Sequence, residues 1–305
     1  MDERGKRIAI FGAGQAGVMV RTWLPATQEV LCYIDNSKKK QGTRLDGMSV
    51  LSLEAALALQ PEEIILAILN QETEQVIREQ LIESDYRGVC TSLRDIQSMQ
   101  DVRLSALRLN ARELELRSIP GDVAELGVYQ GAFAAEINRL FPERRIWLFD
   151  TFEGFHARDL EIEAERIGVK NQRQNFADTN VELVIKRLPH PERAQVVKGY
   201  FPESLRELEE EPMFALVSLD PDLYEPTLAG LEYFYPRLVP GGRILIHDYT
   251  SHQFEGVRMA VQKYCSAHGL FVVPLMDLHG TAVLVKSEHE TYLSGPARSA
   301  GKKLK

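Results

Sequence analysis

The sequence predicts an α/β protein built from two doubly wound, Rossmann-like domains. Short β-rich runs alternate with helical patterns through both halves of the chain, and a strand that enters a glycine turn and then a helix occurs in each half. The length of 305 residues suits about two domains of roughly 150 residues each. Hydrophobic residues make up 44% of the chain and charged residues 26%, so there is enough apolar material for two cores.

The first domain is expected over residues 1–92. Short β-rich runs predict its strands, and apolar residues that share one helical face predict its helices. Strands are predicted at Arg7–Phe11, Val30–Asp35, Ile64–Leu69 and Val89–Thr91, and helices at Gln15–Leu24, Leu53–Leu59 and Glu72–Ser84. Because strands alternate with helices, this domain is expected to contain a small parallel sheet.

A long linking helix is predicted between the two domains, over residues 93–119. This stretch contains no Gly or Pro, its apolar residues recur at mostly helical spacing, and Pro120–Gly121 ends it. Such a helix can pack between the domains or form a contact between two copies of the chain. The sequence does not decide between these two roles, and the second of them would give a homodimer.

The second domain is expected over residues 120–290, followed by a flexible tail at residues 291–305. Strands are predicted at Val123–Leu126, Ile146–Phe149, Gln195–Val197, Ala215–Leu219, Arg243–Ile246, Leu270–Pro274 and Thr281–Val285, and helices near Ala132–Leu140, Asn180–Leu188, Glu203–Leu208, Pro226–Tyr235 and Gly256–His268. The last two strands have no helix between them, which fits a doubly wound seven-stranded sheet closed by a hairpin. His156–Gln174 is polar and poorly periodic, which is typical of a mobile lid over a site.

The sequence argues against two classes of partner. Its 36 Lys and Arg against 44 Asp and Glu give a net charge of −8, whereas binding to nucleic acid through phosphates favours a basic excess. No apolar run approaches the roughly 18 residues of a membrane span. Three isolated cysteines indicate reduced core residues, and the N-terminus enters a strand rather than a signal peptide. We therefore expect no nucleic acid and no membrane as partners, and a cytoplasmic location.

A glycine motif follows the first strand. It consists of Gly12, Gly14 and Gly17, with Asp35 at the end of the next strand. Such glycines let backbone amides approach a pyrophosphate, and the acid can bind a ribose hydroxyl; the alternative is a tight turn with nothing bound. The passage IDNSKKKQG followed by GMSVLS resembles the small Rossmann-like N-terminal domain of bacterial nucleotide-sugar-modifying enzymes, over Arg7 to Leu53. That resemblance implies a nucleotide-sugar or dinucleotide site, or a degenerate domain kept for assembly.

A second glycine motif opens the second domain. The run VAELGVYQG is a strand that enters a glycine turn, and an acid, Asp150, ends the next strand about twenty residues later. This run resembles the first motif of class I S-adenosylmethionine-dependent methyltransferases, although the turn and the acid alone would fit a dehydrogenase equally well. In such a site the acid can accept both ribose hydroxyls. The resemblance implies that the cofactor lies against Glu125, Gly127, Tyr129, Gly131, Asp150, Thr151, Gly199, Tyr200 and Phe201.

Four further motifs follow in order. They are DTFEGF at Asp150–Phe155, VKGYFPES at Val197–Ser204, LDPDLYEPT at Leu219–Thr227 and PGGRILIHDY at Pro240–Tyr249. Together with the glycine motif they look like the macrocin O-methyltransferase family, over about Pro120 to Lys286. The resemblance implies S-adenosylmethionine as cofactor and a small-molecule acceptor, with methylation of a hydroxyl on a sugar or a glycosylated secondary metabolite.

The resemblance also implies a metal site, from which this sequence departs. In the family an acid after the fourth strand and two adjacent acids after the fifth hold Mg²⁺; here Asp220 and Asp248 match, but His247 replaces an acid and Pro221 replaces the usual Gly. Mg²⁺ prefers oxygen ligands, whereas imidazole suits Zn²⁺, Mn²⁺ or Fe²⁺. Three interpretations stay open: Mg²⁺ on the two acids, a different divalent metal on Asp220, His247 and Asp248, or no metal and His247 as a base.

Other polar residues are expected near the acceptor. His279, before the last strand, is a candidate catalytic residue or a structural turn residue. His252 and Tyr249 are expected to line the acceptor cleft, and Asp222 and Tyr224 to support the residues around them. Two rival functions stay open. One is a nucleotide-sugar or NAD-dependent oxidoreductase that uses the N-terminal domain, and the other is a protein that binds a cofactor without turnover.

Overall fold

The computed structural model of the chain describes residues 5–25, 27–99, 101–168, 176–277 and 280–287. Within these ranges the chain forms two compact units, divided between Ser105 and Ala106, and each unit contains one sheet. Some predictions lie outside the described residues: His279, the expected tail at residues 291–305, and part of the expected lid. No described helix is both long enough and apolar enough to cross a membrane.

The first unit is a doubly wound sheet. Its strands are β1 (Arg7–Phe11), β2 (Glu29–Ile34), β3 (Arg44–Leu45), β4 (Met48–Leu51), β5 (Glu63–Leu66) and β6 (Val89–Ser92), and its helices are α1 (Gln15–Trp23), α2 (Leu53–Leu57), α3 (Gln71–Glu83) and α4 (Leu93–Met99). The strand order is β3-β4-β2-β1-β5-β6, and the pairs are parallel except for β3 with β4, a short hairpin that was not predicted. Alternate residues of β1 pack on Val20 of α1 and on Ile77 of α3, so both faces of the strand are buried.

Two helices replace the single linking helix that was predicted over residues 93–119. The first is α4, and the second is α5 (Val102–Leu116). The side chain of Asp101 accepts a hydrogen bond from the N–H of Leu104 at 2.8 Å, which is the geometry of an N-cap that starts a new helix. The prediction is therefore wrong, because an uninterrupted helical pattern does not reveal a cap within it. In the second unit, Leu107 and Leu114 of α5 are fully buried in the core.

The second unit contains the predicted seven-stranded sheet. Its strands are β7 (Asp122–Leu126), β8 (Ile146–Asp150), β9 (Ala194–Lys198), β10 (Phe214–Leu219), β11 (Leu238–Ile246), β12 (Val273–Pro274) and β13 (Ala282–Val285). Its helices are α5, α6 (Ala132–Leu140), α7 (Ala157–Ile167), α8 (Val181–Arg187), α9 (Tyr224–Arg237) and α10 (Glu255–His268), with short 3-10 turns at Pro191–Arg193 and Glu203–Glu207. The sequence prediction of the fold class is confirmed.

The strand order of this sheet fixes where a ligand can lie. The order is β12-β13-β11-β10-β7-β8-β9; β13 is antiparallel to both of its neighbours, and the other pairs are parallel. The chain runs from β7 outward to β9 and then returns to β10 on the other side of β7. Such a reversal leaves a crevice beyond the carboxyl ends of the two central strands, where open α/β sheets bind their ligands. In this unit the crevice lies beyond Leu126 and Leu219.

The segment predicted as an irregular lid forms a helix in its first half. The Nδ1 atom of His156 accepts from the N–H of Arg158 at 3.3 Å and so caps the start of α7, and Gly168, with φ of +76°, ends it. The buried residues described in α7 are acids, Asp159 and Glu163. Because apolar spacing is the signal for a helix in sequence, a helix that buries carboxyl groups escapes it.

Candidate active site

Three acidic side chains and one imidazole meet at the carboxyl ends of β10 and β11. Asp220 and Asp222 follow β10, and His247 and Asp248 follow β11. One ligand atom from each of these four residues lies within 4.8 Å of the others. The backbone ladder continues past the end of β11, since the N–H of His247 donates to the carbonyl of Leu219 at 2.9 Å. The structure therefore brings the three predicted residues together and adds Asp222.

The imidazole of His247 contacts two carboxylates through one ring nitrogen. Its Nδ1 atom lies 2.6 Å from Oδ1 of Asp220 and 2.7 Å from Oδ2 of Asp248. Ionised carboxylates only accept hydrogen bonds, so Nδ1 is the nitrogen that carries a proton. The other ring nitrogen, Nε2, is also buried. This arrangement holds the orientation of the ring and keeps a proton on Nδ1.

These donor atoms do not fit Mg²⁺. Octahedral Mg²⁺ binds ligands at about 2.0–2.1 Å, which sets neighbouring donors about 2.9 Å apart. The two distances from Nδ1 of His247 are shorter than that and match charge-assisted hydrogen bonds. Imidazole is also a poorer ligand for Mg²⁺ than a carboxylate. The N–H group of His247 thus occupies the carboxylate oxygens of Asp220 and Asp248 that a cation would use as ligands.

Asp222 was expected to play only a supporting part, but its carboxyl belongs to this cluster. Burial, together with the nearby carboxylates of Asp220 and Asp248, raises its pKa well above the usual value for Asp. The carboxyl also hydrogen-bonds Asp248. Asp222 and Asp248 have φ of +62° and +55°. This left-handed conformation turns the backbone sharply after β10 and after β11. Sequence spacing does not reveal such turns.

Asp222→Asn is expected to stabilise the fold above acidic pH. Because the pKa of Asp222 is raised in the folded state, the stability that its proton contributes is complete below the unfolded-state pKa of about 3.9 and is lost as pH rises through the folded-state pKa. An amide keeps a donor toward Asp248 and never ionises. In urea unfolding, we expect the free energy of unfolding of the variant to exceed that of wild type by roughly 1–2 kcal/mol at mildly alkaline pH. The difference should vanish in acid. Glu209→Gln, at an exposed position, is the control. A difference in unfolding free energy between the variant and wild type that does not change with pH would contradict this prediction.

The glycine turn after β7 is shaped by its contact with the end of β10. Gly127 has φ of +84°, and a Cβ atom there would overlap the carbonyl oxygen of Asp220. Gly131, with φ of +75°, precedes α6, and a Cβ atom there would lie 2.8 Å from the side chain of Val184. The turn and the acid–imidazole cluster therefore lie side by side, at the crevice that the strand order predicts.

Asp150, at the end of β8, holds this glycine turn in place. Its Oδ2 atom accepts from the N–H of Val128 at 2.7 Å and of Tyr129 at 2.9 Å, and its Oδ1 atom accepts from the N–H of Phe152 at 2.7 Å. The acid predicted to bind ribose is thus also the acceptor that orders the loop beneath it.

The tyrosine of the turn also contacts a segment that was not predicted as part of the site. The hydroxyl of Tyr129 donates to Oδ1 of Asp178 at 2.8 Å, and this hydrogen bond raises the pKa of Tyr129. The Tyr129 ring meets the ring of Phe176 edge-on, with centroids 5.1 Å apart. Thr179 donates to the carbonyl of Tyr129. These three residues follow a polar stretch and carry no motif that sequence analysis could have used.

Two further cofactor candidates lie close to the turn. Glu125, on β7, is buried, and its Oε1 atom accepts from the hydroxyl of Ser218 at 3.2 Å. Gly199 has φ of +140°, and its N–H donates to the carbonyl of Asp150 at 2.9 Å. Glu125 thus lies within β7, just before the glycine turn, and Gly199 directly follows β9 and contacts the end of β8.

The other three cofactor candidates have partners of their own. Thr151 donates to the carbonyl of Gly154 at 2.7 Å, and Tyr200 donates to Oδ1 of Asp159 at 2.7 Å. The ring of Phe201 is only 4% exposed and packs in the aromatic core. Thr151 and Tyr200 thus order their loops, and Phe201 is a core residue; contact of these three residues with a cofactor stays a prediction.

The residues predicted around the acceptor divide between the surface and the core. Tyr249 is half-buried, with the guanidinium carbon of Arg258 5.5 Å from its ring centroid. His252, in the same loop, is exposed. Tyr224 is buried in the core, so its ring does not face an open cleft.

The N-terminal glycine motif has a structural explanation at two of its three positions. Cβ atoms at Gly12 and Gly17 would overlap or crowd neighbouring backbone, whereas at Gly14 no described residue beyond its chain neighbours comes within 4 Å of the Cβ position. Oδ2 of Asp35 accepts from the N–H of Ala13 at 3.1 Å and from Nζ of Lys40 at 2.8 Å. The acid predicted to bind ribose is paired within its own chain. A dinucleotide site in this unit stays a prediction.

Comparison with known proteins identifies the family. A family model described as macrocin-O-methyltransferase (TylF) matches residues 48–287, and one described as C2185-like, N-terminal, matches residues 4–88. The chain is 29% identical over 199 residues to the 8-demethyl-8-(2,3-dimethoxy-alpha-L-rhamnosyl)-tetracenomycin-C 4'-O-methyltransferase of Streptomyces olivaceus, covering 59% of this chain and 71% of that protein. It is also 29% identical over 168 residues to the mycinamicin III 3''-O-methyltransferase of Micromonospora griseorubida, covering 50% of this chain and 63% of that protein.

Among solved structures, the O-methyltransferase NovP is similar, with 22% identity and a TM-score of 0.49, over 61% of this chain and 79% of that one. The family model extends over more than half of the sequence, and its range includes the glycine turn and the acid–imidazole cluster. The protein belongs to the macrocin O-methyltransferase family.

Proposed function

We propose that the protein transfers a methyl group from S-adenosylmethionine to a hydroxyl group of a sugar or a glycosylated metabolite. The observation that carries this proposal is the juxtaposition of the glycine turn at Gly127 with the cluster of Asp220, His247 and Asp248 at one edge of the sheet. The turn suits a nucleoside cofactor, and the cluster suits proton removal. The names of both relatives describe O-methylation, and that of the Streptomyces olivaceus protein includes a rhamnosyl group.

The cofactor would lie along the glycine turn, with Asp150 beneath its ribose. Methyl transfer from a sulfonium is an in-line displacement, so the main task of the protein is to align donor and acceptor. Gly127 keeps the turn close to the end of β10, so a cofactor held by the turn would present its methyl group near the cluster. The segment at Phe176–Thr179, which contacts Tyr129, would cover the turn and limit the access of water.

His247 acts as the base in this proposal. A sugar hydroxyl is a weak nucleophile near neutral pH and needs a base within hydrogen-bond reach. Asp220 and Asp248 hold the proton on Nδ1, so Nε2 is the nitrogen that can accept the hydroxyl proton. S-adenosylmethionine would supply the methyl carbon for attack by the hydroxyl oxygen, and the electron pair of the broken carbon–sulfur bond would stay on the neutral thioether. The imidazolium that forms is stabilised by the two carboxylates.

The proposal is tested by methyl transfer to acceptors that carry a rhamnosyl group, with radiolabelled S-adenosylmethionine. We expect transfer that continues in EDTA. Activity that EDTA abolishes and Mg²⁺ or Mn²⁺ restores would overturn the role of His247 as the base and favour a metal site. A folded, ligand-free sample that does not bind S-adenosylmethionine in calorimetry would overturn the whole proposal, and NAD with sugar nucleotides would then be tested as ligands. The homodimer and the cytoplasmic location stay predictions.

A further inference from the structure

We infer that Glu163 is a positioning residue: its buried carboxylate fixes the starts of α9 and α10, and through them the two turns that carry the acid–imidazole cluster. The consequence for catalysis rests on the proposed function. The contacts themselves can be tested without any turnover, so the two claims fail separately.

The first observation is the burial pattern of α7. Asp159 and Glu163 are 4% and 2% exposed, whereas Leu160 and Ile162 of the same helix are only half-buried. The two acids are four residues apart, so they share one face of the helix. Buried carboxylates are costly unless they are hydrogen-bonded. The most buried side chains described in α7 are therefore polar, and they need hydrogen-bond partners.

The second observation is that Glu163 accepts from the backbone of two other helices. Its Oε2 atom lies 3.2 Å from the N–H of Tyr224, the first residue of α9. It also accepts from the N–H of Gly256, in the first turn of α10. A Cβ atom at position 256 would overlap Oε1 of Glu163, so only glycine there allows this approach.

The third observation is that neither helix has a cap of its own. The N-cap residues are Leu223 for α9 and Phe254 for α10, and neither makes a side-chain capping hydrogen bond. The first N–H groups of a helix need an acceptor and favour negative charge. One carboxylate from α7, that of Glu163, supplies this acceptor to both helices at once.

These contacts bear on the site because of where the two helices begin. Tyr224 follows the turn that contains Asp220 and Asp222, and Gly256 lies at the end of the loop that starts at His247 and Asp248. Each half of the cluster is thus tied to the same carboxylate. Displacing the Glu163 contact would let the two turns move independently, which would disturb the distances between the imidazole and the acids.

The experiment compares Glu163→Ala and Glu163→Gln with Glu165→Ala, a matched control at an exposed position of α7. In Glu163→Ala we expect faster hydrogen exchange at the amides of Tyr224 and Gly256, and a kcat lowered by about 10- to 100-fold with little change in the affinity for S-adenosylmethionine. Glu163→Gln keeps one carbonyl acceptor, so it should recover part of the loss. Glu165→Ala should behave as wild type in both measurements.

Three outcomes would overturn the inference. If hydrogen exchange and kcat in Glu163→Ala equal those in Glu165→Ala, both the capping contacts and their effect on catalysis are contradicted. A lower unfolding midpoint with unchanged kcat in the folded sample would show a purely structural role. If Glu163→Ala does not fold, Gly256→Ala displaces the carboxylate without removing it, and unchanged kcat and unchanged exchange at Tyr224 in that variant would contradict the inference. Absence of methyl transfer by the wild type would instead count against the proposed function, and the exchange measurement would still decide the capping contacts.

Discussion

His247→Ala is expected to lower the rate of methyl transfer by about 100- to 10,000-fold, the usual contribution of a general base. The cause is the loss of the one imidazole that the described residues bring to the cluster, whose Nδ1 atom lies 2.6 Å from Asp220 and 2.7 Å from Asp248. Affinity for S-adenosylmethionine, measured by calorimetry, should change little because the glycine turn is left intact. His190→Ala, remote from the cluster in sequence and partly exposed, is the control.

A second variant at the same position separates the base from a metal ligand. His247→Asp introduces an acid at the position where the resemblance to the family implies one, and it removes the hydrogen bonds through which Nδ1 joins Asp220 to Asp248. Three adjacent carboxylates repel one another unless a cation binds between them. We therefore expect activity that depends on added Mg²⁺ in this variant, while wild type continues in EDTA. Equal dependence on the cation in both proteins would contradict a metal-free role for His247.

Gly127→Ala is expected to have the second large effect, on both stability and cofactor binding. An L-residue at φ of +84° costs about 1–3 kcal/mol, and its Cβ atom would also overlap the carbonyl oxygen of Asp220. The end of β10 would have to move away from the turn. We expect a loss of more than about 3 kcal/mol in urea unfolding, and no measurable binding of S-adenosylmethionine.

Gly168→Ala is the matched control for this substitution. Gly168 has φ of +76°, similar to that of Gly127, but among the residues that the structure describes none beyond its chain neighbours has an atom within 4 Å of its Cβ position. This variant therefore carries the conformational cost alone, and the difference between the two variants measures the contact with Asp220. Equal losses in both would mean that the approach of the turn to β10 is not what requires glycine.

The parts of the fold that sequence analysis predicted are those marked by apolar runs. The central strands β7, β8, β10 and β11 are apolar and buried, and the predicted ranges overlap all four. The parts it missed have no such mark. The helix α7 buries Asp159 and Glu163, so its buried face does not show as apolar spacing in the sequence. Asp101 caps a new helix within the expected linking helix, but in sequence it looks like any exposed acid.

The site residues that could be predicted lie in motifs at the ends of strands. The one that was missed joins the site through a sharp turn of the backbone. Asp220, His247 and Asp248 could be placed because parallel strands bring their carboxyl ends together. Asp222 joins them only because its left-handed conformation, with φ of +62°, redirects the chain after Pro221. A residue in that conformation cannot be recognised from its position in a motif. The partner of Glu163 on α10 is also invisible in sequence, since it is a backbone amide.

The hydrogen bonds of Asp150 bear on which part of a nucleoside the protein recognises. A carboxylate offers about four lone-pair positions, and three backbone amides already donate to this one. About one position is left, on Oδ1, for a bound ribose. The vicinal hydroxyls of the sugar would then contribute unequally, and cofactor analogues that lack the 2'-hydroxyl or the 3'-hydroxyl should differ in affinity. If Asp150 binds the ribose as predicted, the side chain that shapes the loop also sets a preference for one of the two ribose hydroxyls.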